Sequence, residues 1–208
     1  VMSLYDRYIL SPMIDRMCGT REVMDIRAEV IPEAEGHVLE LGLGSGLNLG
    51  LYDPEKVRRV TGVDPGENIT ALARERIAAV PFEVEMLGLS GESVPADDHS
   101  FDSVVVTFTF CTIPDVHRAL GEVRRLLRPG GRLLFAEHGL SPDPAIQRWQ
   151  NRINPVWKAL AGGCHINRDT SRLLEDGGFV VESGVRRSHA MEGPKIATWV
   201  TRGAARVR

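Results

Sequence analysis

The apolar positions change period along the chain, and the changes mark its elements. Residues 3–34 carry apolar side chains at scattered positions, Tyr5, Tyr8, Met13, Ile14 and Met17 among them. Cys18-Gly19-Thr20 breaks this stretch into two predicted helices, with Thr20 as N-cap of the second. From residue 37 the pattern becomes strand-like. His37–Leu41, Val60–Asp64, Phe82–Met86 and Phe101–Thr107 read as strands, the last with three consecutive valines. Glu67–Val80 and the stretch opened by Asp115 read as helices. In the latter, Val116, Ala119, Leu120, Val123, Leu126 and Leu127 make one apolar face. Pro129-Gly-Gly131 is expected to stop that helix. Arg132–Ala136 is a fifth strand. Ile146–Leu160 reads as a helix interrupted at Pro155, and Thr170–Asp176 as one stopped by Gly177-Gly178. Phe179–Arg186 and Ile196–Arg202 close the chain as strands six and seven.

Strands alternating with helices imply βαβ units, so an α/β fold with a mostly parallel sheet is expected. Right-handed crossovers then place helices on both faces. Ligands in such sheets bind at the carboxyl ends of the strands, so motifs in the strand-to-helix loops should share one site.

Composition narrows the class. The chain has 208 residues, 43% hydrophobic and 25% charged, an ordinary globular balance consistent with one domain. Net charge is −3, which disfavours a nucleic-acid partner. No apolar run approaches the ~20 residues of a membrane span. Asp6, Arg7, Asp15 and Arg16 break up any signal-peptide core. Cys18, Cys111 and Cys164 stand far apart without a C-x-x-C, so neither a disulfide framework nor a metal site is indicated. Reduced thiols in a cytoplasmic protein are the expectation. The pattern does not speak to oligomeric state.

The sharpest motif is Glu40-Leu-Gly42-Leu-Gly44-Ser45-Gly46, between a strand and a predicted helix. Glycines are needed where backbone turns tightly and approaches a ligand. A dinucleotide loop, as in nicotinamide-dependent oxidoreductases, wants a third glycine at position 47, where this chain has Leu47. The spacing therefore suits a ligand without a pyrophosphate. Asp64 ends the next strand, 22 residues beyond Gly42, where a carboxylate can accept hydrogen bonds from ribose hydroxyls. With Pro65 it also fits a plain Asp-Pro-Gly turn.

These elements resemble the class I S-adenosylmethionine (SAM)-dependent methyltransferases. Glu40–Gly46 is similar to their first motif and Asp64 to their ribose-binding acid. Glu92-Ser-Val-Pro95 before Phe101-Asp102 resembles the adenine-side loop and fourth strand, and Leu127-Arg-Pro-Gly-Gly131 the turn before the fifth. Phe110-Cys-Thr-Ile113, Ala136-Glu-His138 and Trp157…Gly163-Cys164…Arg168 further resemble small bacterial relatives of the methyltransferase-like alkyl-thiol methyltransferases. The resemblance implies a Rossmann-like seven-stranded sheet in one domain over 1–208. Its parts are a helical cap (1–34), a cofactor-binding core (37–138) and acceptor-side elements (139–208). It implies SAM as cofactor and a small-molecule acceptor, with a thiol favoured. N-methylation of an amine headgroup, C-methylation of a quinone precursor, or a non-catalytic SAM-binding role are alternatives.

The implied cofactor contacts are Glu40, Gly42, Gly44, Ser45 and Gly46 near the methionine moiety, and Asp64 with Pro65 at ribose. Ser90, Gly91 and Glu92 are expected around adenine. Thr107 and Phe108 are expected to present carbonyls to the amine. Many relatives have an acid and a small residue where this chain has Ser90-Gly91, and a serine binds the adenine amine more weakly. His138 ends the fifth strand and is the candidate general base, its alternative a role in shaping the pocket. Cys164-His165 either lines the acceptor pocket or is structural. His37, His99 and His189 are expected to be solvated, and His117 to lie on the surface. Ile146, Trp149, Ile153, Val156, Trp157 and Leu160 are expected to wall an apolar acceptor site, or to be ordinary core. Tyr5 and Tyr8 are expected to close the pocket or pack in the core.

Overall fold

The computed structural model describes residues 11–65 and 71–208. Tyr5, Tyr8 and the start of the predicted 67–80 helix lie outside them. Eight strands form one sheet: β1 (Gly36–Leu41), β2 (Val57–Val63), β3 (Glu83–Leu87), β4 (Phe101–Thr107), β5 (Leu127–His138), β6 (Phe179–Val181), β7 (Arg186–His189) and β8 (Trp199–Val207). Their order is β3-β2-β1-β4-β5-β8-β6, with β7 also paired to β8. The first five run parallel, and β8 is antiparallel to β5, β6 and β7. The helices are α1 (Ser11–Cys18), α2 (Arg21–Ala28), α3 (Ala71–Ala78), α4 (Val116–Leu126), α5 (Pro144–Leu160) and α6 (Thr170–Asp176). This is a Rossmann-like α/β fold.

The central strands are buried on both faces, which is why β4 reads as a run of valines instead of an alternation. Val104 and Val106 join one core with α4 and α6. Val105 points the other way, into a core with Ile26 of α2 and with Val38 and Val60. Arg202 of β8 clasps Glu29 just beyond α2 (Nε–Oε2 2.6 Å), fixing the N-terminal helices on the second face. No helix among the described residues is long and apolar enough to cross a membrane.

Four sequence expectations change. The glycine loop is followed by turns and one 3₁₀ turn (Leu49–Leu51), not an α-helix, because only 15 residues separate β1 from β2. Pro129–Gly131 does not stop α4. Leu127 already has extended backbone, and β5 starts there, with a register shift between its pairs at Phe101 and Ser103. The predicted sixth strand divides into β6 and β7, two segments along the same edge of β8. Finally, the apolar face of α5 is not core: Trp149, Val156 and Leu160 are 60%, 64% and 68% exposed, and Gln150 is the buried side chain.

Candidate active site

Between β1 and β4 the strand order reverses. This switch point is where an open α/β sheet leaves a crevice at the strands' carboxyl ends. The glycine loop arches over it from β1. Gly42, Gly44 and Gly46 all have positive φ (75°, 56° and 78°), as the loop's tight path demands. At Gly42 a Cβ would overlap Thr109 of the loop after β4, so the two connections touch there. At Gly44 it would approach nothing closer than Asp64 Oδ2 at 3.9 Å, leaving room for a ligand beside exposed backbone. Asp64, at the end of β2, accepts the Gly44 N–H at 3.0 Å, so the predicted loop and its predicted acid do come together. Pro65 follows it, exposed.

Ser90, Gly91 and Glu92 lie in the loop after β3 and continue this edge. Ser90 is exposed, and Gly91 is buried against Leu41. Glu92 turns its carboxylate to the Asp115 N–H (2.8 Å), just before α4. Ser45 is bonded to Asp15 of α1, and Arg76 of α3 donates to its carbonyl and its hydroxyl, both at 2.8 Å. Helix α1 is thereby fastened to the loop.

Glu40 is not at the ligand surface. It is buried beneath the loop, accepting from Asn48 Nδ2 (2.9 Å) and Tyr52 Oη (2.6 Å). Burial raises its carboxyl pKa to about 7, against the opposing pull of Tyr52, Arg27 and Asn48. Arg27 of α2 is also buried and donates to Asn48 Oδ1 (2.7 Å) and Thr107 Oγ1 (2.5 Å), with its guanidinium 5.2 Å from the Phe108 ring centroid. Arg27, Asn48 and Tyr52 were not legible as site residues. Asn48, eight residues beyond Glu40, was the only local signal.

At the end of β4, Phe108 has φ +53°, a left-handed backbone unusual for a bulky residue. Its N–H is held by Ala136 O (2.8 Å). Glu137 of β5 is buried and accepts from the Thr109 and Phe110 N–H groups (2.7 and 3.0 Å). Burial lifts its carboxyl to about 7 as well.

Cys111, His138 and Cys164 make an unexpected cluster. His138 Nε2 lies 3.0 Å from Cys164 Sγ, and Cys111 joins them. The ligand atoms of all three lie within 4.8 Å of one another. The cysteines that look isolated in sequence therefore meet: Cys111 follows β4, His138 ends β5, and Cys164 follows α5. Burial works against charge on His138, but the Cys164 hydrogen bond and its charge, aided by Glu137, raise the imidazole pKa. Cys164 is held below the ordinary thiol range by Cys111 and then, against burial, by His138 and Trp157. Cys111 is pushed up by its bond to Cys164 and by burial. His165 is half-buried and donates its backbone N–H to Cys111 O (2.8 Å).

His37 corrects the expectation of a solvated side chain. It is half-buried, bonded to Thr61 Oγ1 (2.9 Å) and tilted on Phe101 with ring centroids 4.4 Å apart. His99 and His189 are exposed residues, each with one ring nitrogen bonded within 2.8 Å, and His117 is exposed.

A Rossmann-like sheet with a glycine loop after β1 and an acid at the end of β2 is the arrangement of a nucleoside-binding fold. The family described as "Methyltransferase domain" matches residues 39–135. The chain is 34% identical to the human thiol S-methyltransferase TMT1B over 178 residues, 82% of this chain and 72% of that protein. The rat TMT1B is 34% identical over 146 residues, 68% of this chain but 59% of that one. A solved SAM-dependent methyltransferase of Thermotoga maritima, described as a possible histamine N-methyltransferase, superposes with a TM-score of 0.64 at 22% identity. It covers 97% of this chain and 96% of its own. The chain belongs to the class I SAM-dependent methyltransferases, and its cofactor is SAM.

Proposed function

We propose that this chain transfers the methyl of SAM to the sulfur of a small thiol. The observation that carries the reading is the extent of the match to the human thiol S-methyltransferase. Its 178 residues reach well beyond the 39–135 cofactor domain, into the region that supplies the acceptor side.

Bound SAM supplies an electrophilic methyl on a sulfonium. The residues that would hold it lie in the loops at the carboxyl ends of β1, β2, β3 and β4. Gly42, Gly44, Ser45 and Gly46 offer backbone to its methionine end. Asp64, with Pro65 shaping the turn, takes the ribose hydroxyls. Ser90, Gly91 and Glu92 border adenine, and the Thr107 and Phe108 carbonyls face the amine. Glu40 supports the loop from below through Asn48. His138 serves the acceptor: it stands on the neighbouring strand, half-buried, at the same edge. With Nε2 already engaged by Cys164, it acts together with that thiol and not as a solitary base.

Calorimetry with SAM and its demethylated product, followed by an acceptor panel of alkyl thiols, amines and quinols, tests the reading. Micromolar SAM binding, about −8 kcal/mol, and turnover on thiols are expected. Binding of NAD without SAM, or turnover on amines or quinols alone, overturns it.

A further inference from the structure

We propose that Cys111, His138 and Cys164 form a metal site for one zinc ion, whose fourth position takes the acceptor thiol as thiolate. The second half of this inference rests on the thiol reading above, and the first half does not.

The ligand set is two sulfurs and one imidazole nitrogen, the set that tetrahedral zinc prefers. In such a site sulfur and nitrogen ligands stand about 3.6 Å apart and two sulfurs about 3.8 Å, from the usual metal–ligand lengths. Here Sγ of Cys164 and Nε2 of His138 are 3.0 Å apart, and all three atoms lie within 4.8 Å, so sub-ångström to ångström adjustments close the site. Three protein ligands leave a tetrahedral position open, as catalytic zinc sites do and structural ones do not. Cys111 and Cys164 are only 3% and 7% exposed, so the ion would sit shielded from bulk solvent.

The scaffold around the ligands is rigid. Glu137 pins the two N–H groups just before Cys111. The His165 N–H binds Cys111 O, tying the two cysteine segments together. Asn154 Oδ1 accepts the Ile166 N–H at 3.1 Å and holds the segment after Cys164. The buried Trp157 Nε1 bears on Cys164, where its N–H favours the thiolate. Two thiolates and a dication sum to zero, so filling the site leaves no net charge to bury.

The chemistry closes in atoms and electrons. The acceptor's S–H proton is released to solvent as its sulfur takes the fourth position, because a coordinating thiol is deprotonated. The sulfur lone pair forms the new S–CH3 bond. The methyl–sulfonium bond breaks, its electron pair stays on the departing sulfur, and the neutral thioether leaves. No separate general base is needed.

The test uses the reduced full chain, stripped with a chelator and titrated with Co²⁺ and then Zn²⁺. One equivalent of cobalt should bind, with thiolate-to-metal charge-transfer bands and the visible bands of tetrahedral cobalt, and zinc should abolish both. C111S, C164S and H138N should each weaken binding at least about 100-fold, and C18S should keep the bands. SAM calorimetry on each variant reports that the fold is intact. Adding a small alkyl thiol to the cobalt form should intensify the charge-transfer bands, while the matching alcohol should not. Weak octahedral bands insensitive to the three substitutions overturn the metal site. Cobalt bands unmoved by thiol, or a stripped protein that methylates thiols at full rate, overturn the open-position role and leave the thiol reading standing. A zinc-loaded protein that binds SAM and methylates no thiol instead overturns the thiol reading, while the cobalt bands alone decide the metal site.

Discussion

Replacing Glu40 by Gln keeps the shape of the buried hub under the glycine loop and removes its charge. Oε1 still accepts from Asn48, and the new amide can donate to the Tyr52 oxygen. Burial raises the native carboxyl from 4.5 to about 7. The fold therefore holds this proton when the unfolded chain has already released it. The associated stability is fully present below pH 4.5 and is lost as pH rises to about 7. Such a rise corresponds to about 3 kcal/mol. The parent should lose that much across the window, and Glu40→Gln should not. The difference between the two proteins should thus grow in the variant's favour by up to about 3 kcal/mol from pH 4.5 to 8, less whatever attraction Arg27 loses. Glu137 titrates in the same window, so the variant's own profile flattens without becoming level. Urea unfolding at a series of pH values measures this directly. Parallel profiles for parent and variant would show that Glu40 is ionised normally, and would refute the account of a neutral hub.

Three further predictions concern the site. Asp64→Ala removes the acid beside Gly44 and should cost about 1.5–3 kcal/mol of SAM affinity with the fold intact, by calorimetry and circular dichroism; unchanged affinity makes Asp64 a turn residue only. Gly42→Ala drives a methyl into Thr109 and should lower stability by about 2 kcal/mol or more. Gly44→Ala meets open space and should cost only its backbone strain, about 1–2 kcal/mol, while weakening SAM; equal melting temperatures for the pair would contradict this contrast. His138→Gln should lower kcat about 100-fold or more with little change in SAM affinity, and unaltered turnover would leave His138 a structural residue.

What the sequence made legible is what local chemistry dictates. The strand period, the triple valine of β4 and the glycine loop are written in consecutive residues, so the sheet and the meeting of the glycine loop with Asp64 at one edge could be read from the sequence. The short connection after the loop could not, because Leu47–Leu51 has apolar residues that suit a helix, yet the chain must return to β2 almost at once. Nor could the apolar face of α5 be placed, since helical spacing alone does not say which face meets the core. Arg27, Tyr52 and Glu137 are ordinary polar residues in sequence, and their roles come from partners up to 80 positions away. The cysteine cluster was hidden for the same reason. Its members are 27 and 26 residues apart, a spacing set by βα crossovers and not by any short metal motif. The usable signal was topological. Cys111 and His138 both sit just at or beyond the carboxyl ends of adjacent parallel strands, so the fold has to bring them together.

Arg27, Glu40 and Glu137 fall into two hydrogen-bonded groups. Burying an arginine or a carboxylate is costly unless each is bonded, and isolated stability alone would favour apolar replacements. Arg27 connects α2 with Asn48 of the glycine loop and Thr107 of β4, and Glu40 closes that network from β1. Glu137 reaches Arg27 only through its charge, and its hydrogen bonds go instead to the N–H groups of Thr109 and Phe110. Phe108 lies between the two, and its left-handed backbone, which costs of order 1–3 kcal/mol, persists because its flanking residues are held on both sides. One network thus supports the glycine loop and the other the loop after β4, with a strained residue as their joint. Such a division suits a reaction in which the protein's main task is to keep a donor carbon and an acceptor atom in line, since placing each from a separate rigid support leaves little of their relative motion to be lost on the way to the transition state.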